Sequence, residues 1–405
     1  MSTPTTVAVL ERVAPLARRF RDAGHDLYLV GGVVRDLVLG RPSVDLDLTT
    51  DAHPDETKAI LGGWADERWT QGERFGTIGC RKDGHDFEIT TYRAEVYDPT
   101  SRKPMVEFGT TLDGDLVRRD FTINAMAIDP LEARLVDPHD GAGDLAARRL
   151  RTPGPPQVSF DDDPLRMLRA ARFAARFDLA VEPDVLKAMR HQAPRLAIVS
   201  AERIHDELGK LLGGPDPHRG LALLDEVGLL HPVLPEAELD REVLGRSPDD
   251  PLVRLALVLR GTDRDGLRRR LRALRFSNDE TATVSTIVEL VERGLDEGVT
   301  QLPMLRRLRR DAGERLDRVL DAVRSIDPER GASLEAAIGA LVTAEPPGDV
   351  VRLDGGAVKA ELDLPPGPAI GEALGVLDEA LLDEGPLSAD EQLSRLREWW
   401  ARRES

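Results

Sequence analysis

Two aspartates one residue apart, Asp45 and Asp47, interrupt the aliphatic and threonine run VDLDLTT (Val44 to Thr50), which otherwise reads as a buried strand. Side chains alternate along a strand, so Val44, Leu46 and Leu48 share one face while Ser43, Asp45, Asp47 and Thr49 share the other. Like charges on neighbouring same-side positions repel, and a divalent cation between them is the commonest remedy. The segment HDFEITTY offers a third acid by the same alternation: Phe87 and Ile89 turn inward, Asp86 and Glu88 outward, and Glu88 is the candidate. Taken alone, the aspartate pair equally suits an edge strand whose acids face water.

Upstream, LYLVGGVVRD puts a strand, two glycines and a helix in succession. Backbone N–H groups of Gly31 and Gly32 can approach a phosphate at the helix N-terminus, and Arg35, about one turn in, adds a cation. Beside the acidic strand, such a turn would assemble a triphosphate and its Mg²⁺ side by side.

The elements that must position these groups lie in the first 130 or so residues. A helical pattern runs from Val7 to Phe20, and strand patterns occur at LYLV, VDLDLTT, GTIGCRK and HDFEITTY. Helix and strand alternate with turns, which predicts a small mixed sheet domain. Beyond about Arg151 strand patterns nearly vanish, and amphipathic helices follow one another, among them DPLRMLRAARFAARF, AERIHDELGKLL and DPLVRLALVLRG. The fold class is α+β, a sheet domain followed by an all-α half. Breaks are expected at TPGPPQ (Thr152 to Gln157), GGPDP (Gly213 to Pro217) and AEPPGD (Ala344 to Asp349).

Composition narrows the possibilities. With 405 residues, 41% hydrophobic and 32% charged, the chain can bury a core without external staples. Its one cysteine, Cys80, excludes an intramolecular disulfide and a thiolate-built zinc site and fits a reducing cytosol. No basic segment followed by an apolar core opens the chain, and no 18 apolar residues run together, so we expect a cytoplasmic protein without membrane association. A net charge of −18 argues against indiscriminate nucleic-acid binding. Basic surface is concentrated instead: six arginines stand between Arg264 and Arg275, and LRRLRR (Leu305 to Arg310) adds four. Solvated helix faces account for these runs equally well.

At the glycine turn and the paired aspartates the chain resembles the nucleotidyltransferase superfamily, specifically the bacterial-type (class II) tRNA nucleotidyltransferases, or CCA-adding enzymes, and the related poly(A) polymerases. YLVGGVVRDLVLGRPSVDLDLTT is similar to their first motif and FEITTYR to the segment supplying the third acid. RRDFTINAMAID (Arg118 to Asp129) resembles the second motif, and DPHDGAGDLAARRLR (Asp137 to Arg151) the hinge region. FDDDPLRMLRAARF, ERIHDELGKLL and the C-terminal DGGAVKAELDLPPGPAIGEALGVLDEAL continue the likeness, which is close over residues 27–212 and patchier afterwards.

The resemblance implies a polymerase beta-like head over residues 1–135, a neck that recognises the base over 136–212, a helical body over 213–300 and a tRNA-binding tail over 301–405. It implies template-free addition of CCA to tRNA from CTP and ATP, with Asp45 and Asp47 holding Mg²⁺ and Glu88 assisting. Gly32 and Arg35 would contact the triphosphate, and Arg119, Asp120 and Asn124 would fix ribose and phosphates. Without the family, Asp120 reads as the N-cap of a helix starting at Phe121.

On the helix DDPLRMLRAARF, Asp163 and Arg166 are three apart, with Arg169 and Arg172 continuing the face. An accepting acid beside a donating arginine suits cytosine and adenine, each with an amino donor next to a ring-nitrogen acceptor, and rejects uracil and guanine. The same spacing also makes an ordinary helical ion pair. Arg268, Arg269, Arg272, Arg306 and Arg309 would face the tRNA backbone. No protein partner is expected.

Histidines are scattered and none follows His231, so we expect no appended metal-dependent phosphohydrolase module. Poly(A) polymerase is the nearest rival activity. A CC-adding specialist would lack part of the loop between the first two motifs, which looks complete in YRAEVYDPTSRKPMVEFGTTLDGDLVRRD (Tyr92 to Asp120). A non-catalytic RNA-binding protein is the rival from another class.

Overall fold

Short segments with alternating burial build a seven-stranded sheet in a computed structural model of the chain, which describes residues 4–42, 45–95, 106–346 and 352–404. In chain order the strands are β1 (Leu27–Val30), β2 (Leu46–Thr50), β3 (Glu67–Trp69), β4 (Thr77–Lys82), β5 (His85–Thr91), β6 (Arg93–Glu95), β7 (Val106–Phe108), β8 (Ala127–Asp129) and β9 (Arg134–Val136), followed by a short parallel pair, β10 (Arg149–Leu150) and β11 (Ala180–Val181). Across the sheet they run β3-β4-β5-β2-β1-β8-β9, while β6 and β7 form a separate ribbon. Strand β2 pairs antiparallel with β1 and parallel with β5, so the acidic strand is central. Asp83 and Gly84, both at positive φ, make the two-residue turn that joins β4 to β5.

One sheet face carries Leu29, Leu46, Leu48, Ile78, Phe87 and Ile89, all buried. Helix α1 (Pro4–Asp22) buries Val9, Val13, Leu16 and Phe20 and packs on β1. The period of two on the strands and of 3.6 on the helix thus meet in one core. The acidic strand starts at Leu46, one residue after Asp45; Ser43 and Val44, assigned to it from sequence, lie outside the described residues.

Five short helices follow: α2 (Gly32–Val38), α3 (Pro54–Ile60), α4 (Leu112–Val117), α5 (Gly141–Ala146) and α6 (Pro156–Asp162). Helix α7 (Leu165–Phe177) is buried nearly all round. Asp163, expected on that helix, stands before it in extended backbone (φ −146°, ψ 98°), because Pro164 opens the next helix and disfavours helical backbone in the residue ahead. Residues Thr122–Asn124 form only a single 3₁₀ turn, so Asp120 caps no helix from Phe121.

By packing, the chain divides into two units, Met1–Glu207 with Leu223–Pro232, and Leu208–Ala222 with Val233–Ser405. The second is helical. Asp250, Asp263, Ser277, Asp327 and Asp354 each cap a helix N-terminus, accepting from backbone N–H groups of the first turn. Near its end Val358, Ala373, Leu377 and Leu396 make a small core of their own. Among the described residues no helix is long and apolar enough to cross a membrane.

Candidate active site

Strand β1 leads into Gly31, whose backbone (φ 73°, ψ −134°) is open to glycine and strained for other residues. A Cβ there would stand 3.1 Å from Arg119 Nη1 and 4.0 Å from Asp47 Oδ2, so the bend, the acid on β2 and the arginine of RRDFTINA meet at one point. Gly32 opens α2, and a Cβ on it would stand 3.5 Å from Arg35 Nη2. Asp47 and Glu88 are direct register partners across the parallel β2–β5 pair, hence neighbours on the same face. Asp45, exposed and just ahead of the strand, acts on Asp47 electrostatically.

Burial pushes the Asp47 carboxyl above the usual carboxylate range, and the negative charges of Glu88 and Asp45 add to this against the opposing Arg119. No hydrogen-bond donor reaches its side chain among the described residues. A half-buried carboxylate crowded by two others is relieved by an added cation, and three carboxylates form a hard oxygen donor set of the kind Mg²⁺ takes. Among the described residues the three do not close into a cage around one point.

Residues 27–151 match the family described as Poly A polymerase head domain, and residues 178–240 match the probable RNA and SrmB-binding site of polymerase A. A curated CCA-adding enzyme of Limosilactobacillus fermentum is 35% identical over 408 residues, covering 97% of each chain. That of Streptococcus gordonii is 32% identical over 405 residues, 95% of this chain and 96% of its own. The crystal structure of the Bacillus stearothermophilus CCA-adding enzyme in complex with CTP has the same fold, with a TM-score of 0.83 at 28% identity over 100% of this chain and 99% of that one. The chain belongs to the CCA-adding enzymes. Membership makes it a tRNA nucleotidyltransferase, a class whose chemistry implies a divalent metal.

In this CCA-adding enzyme four further sequence-assigned residues form one hydrogen-bonded chain, buried except at half-buried Arg169. Arg35 Nη1 donates to Asn124 Oδ1 (2.7 Å), Asn124 Nδ2 to Asp120 Oδ1 (3.0 Å), and Arg169 Nε to Asp120 Oδ2 (2.8 Å). Arg35 also lies over the Phe177 ring at 4.5 Å and pairs with Asp36. Burial would lift Asp120, but Arg169 and the hydrogen bond from Asn124 outweigh it and hold the carboxyl below its ordinary range. Much of this donor capacity is spent internally, which fixes α2 and α7 against the 3₁₀ turn. Arg172, further along α7, pairs with the buried Glu207.

Asp163 and Arg166 do not pair with each other. Arg203 donates to Asp163 through both terminal nitrogens (3.2 and 2.7 Å), while Arg166 donates to Ser159 Oγ (2.8 Å) and the Arg118 carbonyl (2.7 Å). The helical ion pair is thereby replaced: Asp163 sits off the helix and its carboxylate meets a residue 40 positions away.

Sequence reading passed over Asp115. Fully buried, it accepts from Arg118 and Arg119, each at 2.8 Å, and so aims Arg119 at the Gly31 bend. The signal was present in the spacing, since an acid three and four residues ahead of two arginines can reach both across a helical turn and the residues that follow it. Arg93 stands by the same group; burial and the nearby Arg118 and Arg119 pull its guanidinium down to about 10 despite Asp115. One carboxylate thus serves three arginines and leaves local positive charge.

The five arginines assigned to RNA divide. Arg306 is 10% exposed and donates to Glu345 (2.7 Å) and the carbonyls of Leu382 and Asp383, and half-buried Arg309 donates to the Glu345 carbonyl. Both are built into the helical packing. Arg269 and Arg272 are exposed and Arg268 half-buried on the helix Arg264–Ala273, and none has an ion pair among the described residues. Residues 96–105 of the loop taken to favour full CCA addition lie outside the described residues.

Proposed function

We propose that the protein completes tRNA 3′ ends by adding C, C and A from CTP and ATP, without a nucleic-acid template and with release of pyrophosphate, in the cytoplasm. The observation that carries this is the meeting of Gly31, Asp47 and Arg119 beside Glu88 on one sheet face. Asp45 and Asp47, helped by Glu88, would hold Mg²⁺, whose chemistry there would be to lower the pKa of the attacking 3′-hydroxyl and offset charge on the leaving pyrophosphate. Gly31 and Gly32 let the nucleotide's phosphates approach the backbone, and Arg119, aimed by Asp115, supplies fixed positive charge where negative charge develops.

Base choice falls to Asp163 and Arg166. The first is steadied by Arg203 and the second by Ser159 and the Arg118 carbonyl, so each can offer its remaining hydrogen-bonding capacity in a fixed direction. An acceptor and a donor so held match cytosine and adenine, and a wrong base leaves a buried group unpaired at about 1–3 kcal/mol. The tRNA is met by shape and phosphate contacts, to which Arg268, Arg269 and Arg272 contribute.

Incubation of the purified protein with tRNA lacking CCA, Mg²⁺ and each labelled NTP tests the reading. C addition, then A, then a stop is expected; a long A tail, a halt after CC, or no product would overturn it. Asp47→Asn should abolish addition by removing a charge that holds the cation, and full activity in that variant would remove Asp47 from the site.

A further inference from the structure

A row of residues crosses the catalytic face of the sheet from its edge. Trp69 on β3 opposes Gly79 on β4, Gly79 opposes Glu88 on β5, and Glu88 is level with Asp47 on β2. Gly79 is buried, and a Cβ built on it would fall 1.8 Å from the indole Nε1, so the ring lies over the bare backbone of β4. Neighbouring strands are about 4.8 Å apart, which puts the ring roughly one strand from Glu88 and two from Asp47. Trp69, Gly79 and Glu88 line an open cavity of about 400 Å³ together with Phe75 and Arg93.

An aromatic ring over a cross-strand glycine stabilises a sheet by itself. That accounts for the position of the indole and for nothing else in the cavity. Phe75 remains 39% exposed, and Arg93 Nε is buried without an acceptor among the described residues. Aromatic faces with an arginine along a groove are the means by which proteins hold single-stranded nucleic-acid ends regardless of sequence.

We infer that this cavity seats the 3′-terminal nucleoside of the RNA acceptor, its base stacked on Trp69 beside Phe75 and its 5′-phosphate met by Arg93. The inference rests on the CCA-adding reading. A nucleoside so stacked turns its 3′-hydroxyl toward Glu88 and Asp47, where the reaction needs it. Because stacking is tolerant of base identity, one seat serves each successive 3′ end as the chain grows from the unfinished terminus to C and then CC.

The test is a cycle of protein and acceptor changes, measured as kcat/KM for the first CMP addition to an RNA minihelix lacking CCA. The acceptor ends in either its natural nucleotide or an abasic one, and the proteins are the wild type, Trp69→Ala, Trp69→Phe and Gly79→Ala. With the wild type, the abasic end should cost about tenfold, the value of one stacked base. Trp69→Ala and Gly79→Ala should cost a similar factor on the natural acceptor and nothing further on the abasic one, with the KM for CTP unchanged and Trp69→Phe close to wild type.

Losses that multiply, or a natural acceptor indifferent to Trp69→Ala, would overturn the seat, and the abasic comparison on the wild type does so without any variant having to fold. Wild-type CMP addition tells the two readings apart. If it occurs, only the seat is at stake; if it does not, both fall.

Discussion

Replacing Asp115 by Asn keeps the shape of a fully buried side chain and removes the charge that pairs with both Arg118 and Arg119. The two arginine side chains are 18% and 20% exposed, so water recovers little of the lost interaction. Breaking a buried pair from one side costs about 3–5 kcal/mol, and Asn can still accept one hydrogen bond, so about 3 kcal/mol is expected. For a unit of this size that lowers the melting temperature by roughly 6–12 °C in differential scanning calorimetry.

The pH dependence checks the cause. Burial alone would raise Asp115, but Arg119 and Arg118 outweigh it and hold its folded pKa below the ordinary carboxylate value. A group depressed on folding contributes fully above its unfolded pKa, about 3.9, and loses that contribution as the pH falls through the lower folded value. The gap between wild type and variant should therefore be constant from pH 7 to 5 and close only below about pH 4. Since Asp115 aims Arg119, kcat/KM for CTP should also fall, on the order of tenfold to a hundredfold. A variant as stable as wild type at pH 7, or a gap that closes between pH 7 and 5, would refute the assignment.

Gly31→Ala forces a side chain into backbone that favours glycine and to within 3.1 Å of Arg119, so strain of about 1–3 kcal/mol and a loss of CMP addition on the order of a hundredfold are expected, read by melting and single-turnover kinetics. Two arginines separate packing from RNA contact. Arg306→Ala should lower stability by about 3 kcal/mol by stranding the 16%-exposed Glu345, whereas Arg272→Ala should leave melting unchanged and reduce the slope of log affinity for tRNA against log salt by about one.

Within single elements the sequence was a reliable guide. The alternation in HDFEITT placed Phe87 and Ile89 inside and Glu88 outside, and the glycine pair after LYLV marked the strand-to-helix bend. Each is a local property, since a strand turns its side chain over at every residue and a positive φ favours glycine at the residue concerned. Family likeness then tied the short motifs together across distances that periodicity does not span.

Partner choice was decided elsewhere. That Glu88 flanks Asp47 follows from the parallel pairing of β2 with β5, which no feature of either strand dictates. Asp163 took Arg203 instead of Arg166 because Pro164 moved it off the helix and a later helix supplied a guanidinium. Arg306 and Arg272 read alike in sequence, yet one is buried against Glu345 and the other faces water. By itself the sequence determined which residues could carry charge and which way each strand would turn them. The tertiary structure decided which charges meet, because an ion pair depends on where distant segments cross and on how much water their packing excludes.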